Sequence, residues 1–184
     1  MRRPATPGQT VGPFFGYALP YGGGTELVPV GRADAVRLHG QVLDGAGDPV
    51  PDALVELWQA DAEGVVPRSS GSLRRDGFTF TGWGRASTDG SGSYSFSTVA
   101  PGATSPGAAP FFAVTVFARG LLDRLFTRAY LPDDEHALAE DPLLSSVPAA
   151  RRATLVATRD QSGYRFDIRL QGPDETVFLR YPRH

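Results

Sequence analysis

Alternation of apolar and polar residues is the clearest pattern along this chain. Over residues 163–171, Tyr, Phe, Ile and Leu stand at every second position and are separated by Arg, Asp, Arg and Gln. Ser93–Val99 repeats the pattern, with aromatic or threonine side chains at one parity and serines at the other. Successive side chains of a β-strand point to opposite faces, so this period of two predicts strands with one buried face.

Continuous apolar runs predict further strands. Residues 53–60 and 111–119 are apolar at most positions, as expected for strands buried on both faces. A Gly- and Pro-containing turn at 45–49 separates the first of these from a strand predicted at 36–44. The other short predicted strands are 85–88, 126–131, 153–158 and 176–181. About eight short strands separated by turns predict an all-β fold, a β-sandwich or barrel, and we take the sandwich as the fold class.

Two segments depart from the strand pattern. Residues 1–35 are rich in Gly and Pro and show no sustained periodicity, yet they carry several aromatic side chains, Phe14, Phe15, Tyr17 and Tyr21. We therefore expect an extended N-terminal arm that docks on another surface, followed by a single domain at 36–184. Residues 133–152 favour short helical pieces, because Pro142 and Pro148 interrupt any longer helix.

The composition excludes several classes of protein. The chain has 184 residues, a formal net charge of −2 and no cysteine, which rules out disulfide frameworks, thiolate zinc sites and cysteine nucleophiles. The near-neutral charge argues against nucleic acid as the main partner, because phosphate binding leaves a basic excess. No apolar run approaches the roughly 18 residues that span a bilayer, and no apolar signal segment begins the chain. We therefore expect a cytoplasmic protein without a membrane partner.

The residue types alone offer no complete catalytic set. The three histidines, His39, His136 and His184, are far apart in sequence, and no pair has the short spacing of metal ligands. His39 lies within a predicted strand, where a hydrogen-bonded structural histidine is the better interpretation. Ser91 belongs to a hairpin turn and not to a nucleophile elbow, and the glycines at 22–24 lack the Lys-Ser/Thr of a phosphate loop.

Sequence segments along nearly the whole chain resemble, in order, those of the intradiol ring-cleaving dioxygenases. Three of them are Thr-Pro-Gly-Gln-Thr-Val-Gly-Pro-Phe-Phe at 6–15, Val-Glu-Leu-Trp-Gln-Ala-Asp at 55–61 and Val-Phe-Ala-Arg-Gly at 116–120. The others are 39–44, 92–102, 127–128 and 164–172. Their number and order make the match specific, and the chain is identified as a member of that family.

The resemblance implies a division of labour between two subunits. In this family two tyrosinates and two histidines hold a ferric ion, but this chain carries other residues at the matching positions, Val66, Thr104, Phe111 and Ala113. None of these donates to a hard ferric ion, so the resemblance implies no metal in this chain. It implies instead a metal-free α subunit whose arm contacts a homologous β subunit that binds Fe(III), within a larger assembly of αβ units.

The resemblance also implies a shared active site, to which this chain contributes substrate-binding residues, Thr10, Gly12, Pro13, Phe14 and Arg119. An arginine supplies charge-assisted hydrogen bonds to a carboxylate, glycine permits close backbone approach, and Pro and Phe form an apolar wall for a ring. The reaction implied is the cleavage of protocatechuate by O2 to 3-carboxy-cis,cis-muconate, in the β-ketoadipate route of aromatic catabolism. The chain alone is not expected to be active.

Simpler interpretations stay open. Arg119 also fits an ordinary ion pair at a subunit interface, and residues 10–14 also fit an arm that serves packing alone. A metal-free β-sandwich that binds or supports another protein without a catalytic role accounts for the missing ligands too, although it leaves the aromatic arm without a purpose.

Overall fold

Nine strands in two sheets form the framework of the computed structural model, which describes residues 10–12, 15–68 and 75–181. The strands are β1 (Ala35–Leu43), β2 (Leu54–Trp58), β3 (Trp83–Ser87), β4 (Ser93–Val99), β5 (Phe111–Phe117), β6 (Leu125–Tyr130), β7 (Thr158–Asp160), β8 (Gly163–Arg165) and β9 (Ile168–Arg169). The first sheet has the order β4-β1-β8-β7, with β9 also paired to β1, and the second has the order β3-β2-β5-β6. The predicted β-sandwich is confirmed.

Strand β1 is the centre of the first sheet. It pairs antiparallel with β4, with Leu38 opposite Phe96, and parallel with β8 and β9. Burial follows the sequence alternation, since Tyr94, Phe96 and Thr98 are buried while the serines between them are only half-buried. The strand predicted at Ser93–Val99 is therefore confirmed, and its apolar side faces the second sheet. The hairpin predicted around Ser91 is wrong, because the strands before and after that turn, β3 and β4, lie in different sheets.

The single strand predicted over 163–171 is divided into β8 and β9 at Phe166 and Asp167. A Cβ atom on Gly40 would collide with the Phe166 carbonyl oxygen, so a residue without a side chain is needed on β1 at this crossing. The Tyr94 hydroxyl donates a hydrogen bond to the same carbonyl oxygen at 2.6 Å. The prediction of one continuous strand was wrong, because the Phe166 carbonyl oxygen bonds the Tyr94 side chain here and not a backbone N–H of a neighbouring strand.

Strands β2 and β5 are the centre of the second sheet, and all its pairs are antiparallel. Their inner side chains, including Leu57, Phe112 and Val114, meet Leu38 and Phe96 of the first sheet in the main core. On the outer face the register aligns side chains in rows across the four strands. One row is Trp83, Trp58, Ala113 and Arg128, and the next is Arg85, Glu56, Thr115 and Phe126.

Short helices follow β6, as predicted: α2 (Glu135–Glu140), α3 (Pro142–Ser146) and α4 (Ala149–Arg152), with a 3-10 helix at Ala153–Leu155. A further four-residue helix, α1 (Phe15–Ala18), lies in the arm. A second, smaller core forms where Leu144 and Leu155 pack with Tyr130 of β6. The strand predicted at 153–158 is wrong, because its first turn is helical and places Leu155 in this core. No helix in the described residues has the length and apolar character needed to cross a membrane.

The last strand predicted, 176–181, is not formed. Leu179 makes only an isolated bridge to Phe126, with its backbone N–H donating to the Phe126 carbonyl at 2.7 Å. Thr176 is buried and exchanges backbone and side-chain hydrogen bonds with Arg169, each 3.0 Å long. The segment is therefore held by separate contacts at its two ends, which stabilise extended backbone without a ladder.

The described arm contacts both sheets: Tyr21 and Leu19 lie against the second sheet, whereas residues 25–28 bond Ser97 of β4 in the first sheet. Phe15 is buried, and the Tyr21 ring stacks on Trp83 with centroids 5.8 Å apart. The Arg85 guanidinium donates to the Leu19 carbonyl oxygen at 2.9 Å. Tyr21 of the arm thus packs on the chain's own second sheet, and the contact of the arm with a partner subunit stays a prediction.

Candidate functional site

The start of the arm meets the turn that follows β5. The Thr10 side-chain oxygen accepts a hydrogen bond of 2.9 Å from the Gly120 backbone N–H. Gly120 has a φ of +89°, in the left-handed region that glycine adopts without steric penalty, and a hydrogen bond from Leu121 N to the Ala118 carbonyl closes the turn at 3.3 Å. The contact joins the two segments that carry the predicted substrate-binding residues, since Arg119 lies in this turn.

Arg119 extends from the turn toward solvent. Its guanidinium donates to an Asp52 carboxylate oxygen at 3.1 Å, and both side chains are 57% exposed. Asp52 itself has a φ of +63°, and α1 passes beside it, with Gly16 close enough that a Cβ there would contact the Asp52 side chain at 3.8 Å. An exposed pair of this kind contributes little to stability, so it leaves Arg119 available to another carboxylate.

The other predicted substrate-binding residues follow Thr10 directly. Gly12 is exposed, and its carbonyl oxygen accepts a 3.3 Å hydrogen bond from the backbone N–H of Phe15, which is buried. Pro13 and Phe14 lie outside the described residues. The structure therefore places Thr10 and Arg119 at one turn and Gly12 at the step from that turn to α1, while the roles of all five residues stay predictions.

The positions at which the resemblance predicts missing metal ligands are on three segments at one end of the second sheet. Phe111 and Ala113 lie on the outer face of β5, beside Tyr130 and Arg128 of β6. The loops that carry Val66 and Thr104 touch each other: Gly102 N donates to the Asp61 carbonyl at 2.7 Å, and a Cβ on Gly64 would collide with the Ala103 carbonyl oxygen. Val66 and Thr104 are both exposed.

This donor set does not fit a ferric ion. Alkyl and phenyl groups have no lone pairs to donate, and a neutral threonine hydroxyl is a weak ligand by itself. Within the described part of the chain, no cluster of three or more His, Cys, Asp or Glu side chains is placed to hold a metal.

A cation of the protein itself, Arg128, lies beside two of these positions, Phe111 and Ala113. The Arg128 guanidinium carbon lies 3.9 Å from the centroid of the Phe111 ring, and Arg128 faces Ala113 directly across the β5–β6 pair. Stacking of a guanidinium on an aromatic face is favourable because the ring quadrupole attracts the positive charge. Arg128 Nη1 donates to the Tyr130 hydroxyl at 3.0 Å, which fixes the orientation of the guanidinium plane.

Tyr130 connects this cation to a buried carboxylate. Its hydroxyl donates to Asp141 at 3.0 Å, and Asp141, which is almost fully buried, also accepts backbone N–H bonds from Leu143 and Leu144 at the start of α3. Burial raises the pKa of Tyr130 to about 12, while Arg128 opposes the rise. The tyrosine hydroxyl therefore stays neutral. It accepts a hydrogen bond from Arg128 and donates one to Asp141, so it links the guanidinium to the buried carboxylate.

An aromatic wall borders the same row of side chains. Trp58, 50% exposed, is the neighbour of Ala113 on the other side and lies 5.9 Å from Trp83 between ring centroids. Trp83 in turn stacks on Tyr21 of the arm. The end of the second sheet is thus an accessible aromatic surface bounded by the arm and by the loops at 61–67 and 101–104.

Sequence reasoning missed Asp52, Arg128 and Asp141. Arg128 belongs to the Thr-Arg segment that carries part of the family resemblance, but nothing in the sequence shows which residue it faces. Asp141 had a visible signal, since an Asp before Pro and a short apolar run is a typical helix N-cap. Asp52 had none, because its partner is far away in sequence.

Comparisons with known proteins agree with the fold and the motifs. The model of the Dioxygenase family matches residues 26–172. The protocatechuate 3,4-dioxygenase alpha chain of Burkholderia cepacia is 46% identical over 191 residues, which cover 95% of this chain and 96% of that protein. The beta chain from the same organism is 36% identical over 165 residues, covering 80% of this chain and 68% of the beta chain.

A solved structure of an intradiol ring-cleavage dioxygenase from Tetranychus urticae has a TM-score of 0.59 at 15% identity, over 83% of this chain and 88% of that one. At this identity the likeness shows a shared fold. The family model spans most of the chain, and the alpha chain from Burkholderia cepacia matches it over nearly its full length. The chain therefore belongs to the intradiol ring-cleavage dioxygenase family.

Proposed function

We propose that this chain is the metal-free α-type subunit of a two-subunit intradiol dioxygenase that cleaves protocatechuate with O2. The observation that carries the proposal is the hydrogen bond from Gly120 N to Thr10, which holds the arm against the turn of Arg119. The greater identity to an alpha chain than to a beta chain, 46% against 36%, supports the assignment to the α type.

Arg119 is proposed to recognise the carboxylate of the substrate. Among the described residues, Asp52 is its one hydrogen-bond acceptor, and a single Nη2 atom makes that bond. The remaining N–H groups of the fork are open to a bidentate carboxylate, and Asp52 keeps the side chain extended until a ligand arrives. The exposure of Arg119 lets a substrate reach its guanidinium, whereas a purely structural ion pair would not need this exposure.

The arm residues are proposed to shape the pocket beside Arg119. Thr10 and Gly12 are both exposed, although the Thr10 hydroxyl also contacts Gly120. Thr10 is bonded to Gly120 and Phe15 is buried, so these two residues are restrained, which is what orienting a substrate ring requires. In the proposal Pro13 and Phe14 complete this wall.

The iron of the complex is proposed to belong to a homologous β-type partner, because the residues of this chain do not fit it. The ferric centre supplies the oxidative chemistry, and this chain orients the substrate and excludes water. The isolated chain is then inactive.

The proposal is tested by substrate exchange in the reconstituted complex. The full chain is produced with an iron-binding β-type chain, and ring cleavage is followed as O2 consumption with protocatechuate and with catechol, which lacks the carboxylate. Loss of a charge-assisted bond of about 1.5–3 kcal/mol predicts that R119M raises KM for protocatechuate roughly 10- to 100-fold. KM for catechol should change less than about threefold.

Matched controls separate this effect from a loss of assembly. R32M removes another exposed arginine, one paired with Asp34 at 2.6 Å, and should leave both substrates unchanged. Equal losses on protocatechuate and catechol with R119M would show that Arg119 acts in assembly and not in recognition. A β-type chain that is fully active without this chain would support the alternative of a non-catalytic binding module.

A further inference from the structure

Phe111 and Ala113 share one face of β5. Side chains two residues apart on a strand stand about 7 Å from each other on the same side of the sheet. An ion held by both positions has to lie above the sheet between them. Arg128 is directly opposite Ala113, and its guanidinium carbon is 3.9 Å from the ring centroid of Phe111. The arginine side chain therefore crosses from β6 over this same area.

Arg128 makes no direct ion pair among the described residues, and Asp141 is connected to it only through the Tyr130 hydroxyl. No carboxylate of the described residues lies within ion-pair distance of it, and its one hydrogen bond goes to the neutral Tyr130 hydroxyl. Its Nε atom is buried and has no acceptor in the described part of the chain. An arginine stays protonated throughout the accessible pH range, so a full positive charge is fixed at this place.

The surroundings hold the guanidinium in position. Tyr130 is fully buried and hydrogen-bonded to Asp141, so the acceptor of Arg128 Nη1 cannot swing away. The small side chain of Ala113 leaves room for the arginine stem, and Phe111 supplies the flat surface on which the guanidinium stacks. The three residues fit one another as a unit.

We propose that Arg128 takes the place of a metal ion in this chain: it fills the space above Phe111 and Ala113 and repels cations from it. Two unlike effects then keep this chain metal-free, the lack of ligands and the presence of a fixed charge. Restoring ligand side chains without removing Arg128 should therefore fail to restore tight metal binding. The inference concerns metal affinity alone and does not depend on the proposed substrate or partner.

The test introduces a histidine pair and varies the charge beside it. The full-length F111H/A113H variant offers two imidazoles on one strand face, and Zn²⁺ is titrated into it by calorimetry. In this variant Tyr130 still anchors the arginine. We expect weak binding, and we expect at least 100-fold tighter binding after R128Q is added. R128K, which keeps the charge, should stay within about threefold of F111H/A113H.

Controls make each outcome decisive. R128M is measured beside R128Q because methionine keeps an apolar stem over position 111, and circular dichroism establishes that each variant is folded. R32Q in the F111H/A113H background removes one positive charge elsewhere and should leave the affinity unchanged. Equal Zn²⁺ affinity with and without Arg128, including no binding in either case, overturns the proposal. So does tightening by R32Q as large as that by R128Q.

Discussion

Arg85 connects the arm to the second sheet, and its replacement by methionine tests how strongly. The guanidinium donates to one Glu56 carboxylate oxygen from Nε at 3.0 Å and from Nη2 at 2.7 Å, and to the Leu19 carbonyl of the arm from Nη1. Its central carbon lies 5.1 Å from the Trp83 ring centroid. R85M keeps the apolar stem but removes the interactions of the guanidinium with Glu56, Leu19 and Trp83.

The expected loss follows from burial of the pair. The side chains of Arg85 and Glu56 are only 17% and 16% exposed, so R85M leaves a carboxylate largely out of water without a partner. Removing one member of a buried pair costs about 3–5 kcal/mol, and the residual exposure lowers our expectation to about 2–4 kcal/mol. R85M/E56M also removes the stranded carboxylate and should be more stable than R85M by about 1–2 kcal/mol.

Urea unfolding of the full chain gives these free energies, and hydrogen exchange at Leu19 to Gly24 reports the arm. R85M should speed exchange in the arm, because it removes the donor to Leu19. R32M is the matched control, since the Arg32 and Asp34 side chains are 47% and 54% exposed, and it should cost less than about 0.5 kcal/mol. A loss below about 1 kcal/mol in R85M, or a double variant no more stable than R85M, would refute the reasoning.

Three further predictions concern the framework of the site. D141A removes a carboxylate that accepts hydrogen bonds of 2.9–3.1 Å from three backbone N–H groups and the Tyr130 hydroxyl. It should lower the free energy of unfolding in urea by about 3–5 kcal/mol, and D141N should lower it by about half as much. Equal losses in the two variants would contradict a role for the charge. G40A should cost more than about 2 kcal/mol because its Cβ meets the Phe166 carbonyl, whereas G90A points into open space and should stay within about 0.5 kcal/mol. Burial raises the pKa of Tyr130 and of Tyr164 from 10.0 to about 12, so both hydroxyls hold their protons more tightly in the folded state. Their contribution to the free energy of unfolding is complete below pH 10 and is lost as the pH rises toward 12. A urea midpoint that stays constant over that range would be inconsistent with this prediction.

The sequence predicted the strands of the main core because burial there follows local alternation. Along β4 the burial can be inferred from Ser93–Val99, since one face is apolar and the other is serine, whereas its pairing with β1 cannot. Family motifs then predicted that the arm and the turn of Arg119 belong together, and in the structure Thr10 bonds Gly120. The substrate-binding roles of these residues stay predictions.

Short apolar runs were predicted less well. Residues 153–158 are a run of apolar and β-branched side chains that favours a strand, but a run this short does not separate strand from helix. The Thr154 hydroxyl bonds the Arg151 carbonyl at 2.8 Å, which continues the helical turn from α4, and Leu155 fills the small core beside Tyr130. Tertiary packing decided the outcome, and no local signal indicated it.

Arg128 shows why the surroundings of Phe111 and Ala113 had to be seen in three dimensions. On β6, large side chains lie at both parities: Phe126 and Tyr130 share the face of Arg128, and Leu125 lies on the core-facing side with Thr127 and Ala129. A rule that sends aromatic residues to the core would turn this strand over and put an arginine among Phe112 and Val114.

The rule fails here because the outer face is itself covered, by the helices that pack on Tyr130. A slip of one residue in the β5–β6 register would place Thr127 or Ala129 opposite Ala113 and bury the Arg128 charge in the core, at a cost of several kcal/mol. The charge of Arg128 therefore helps to fix the β5–β6 register that places its guanidinium over Phe111.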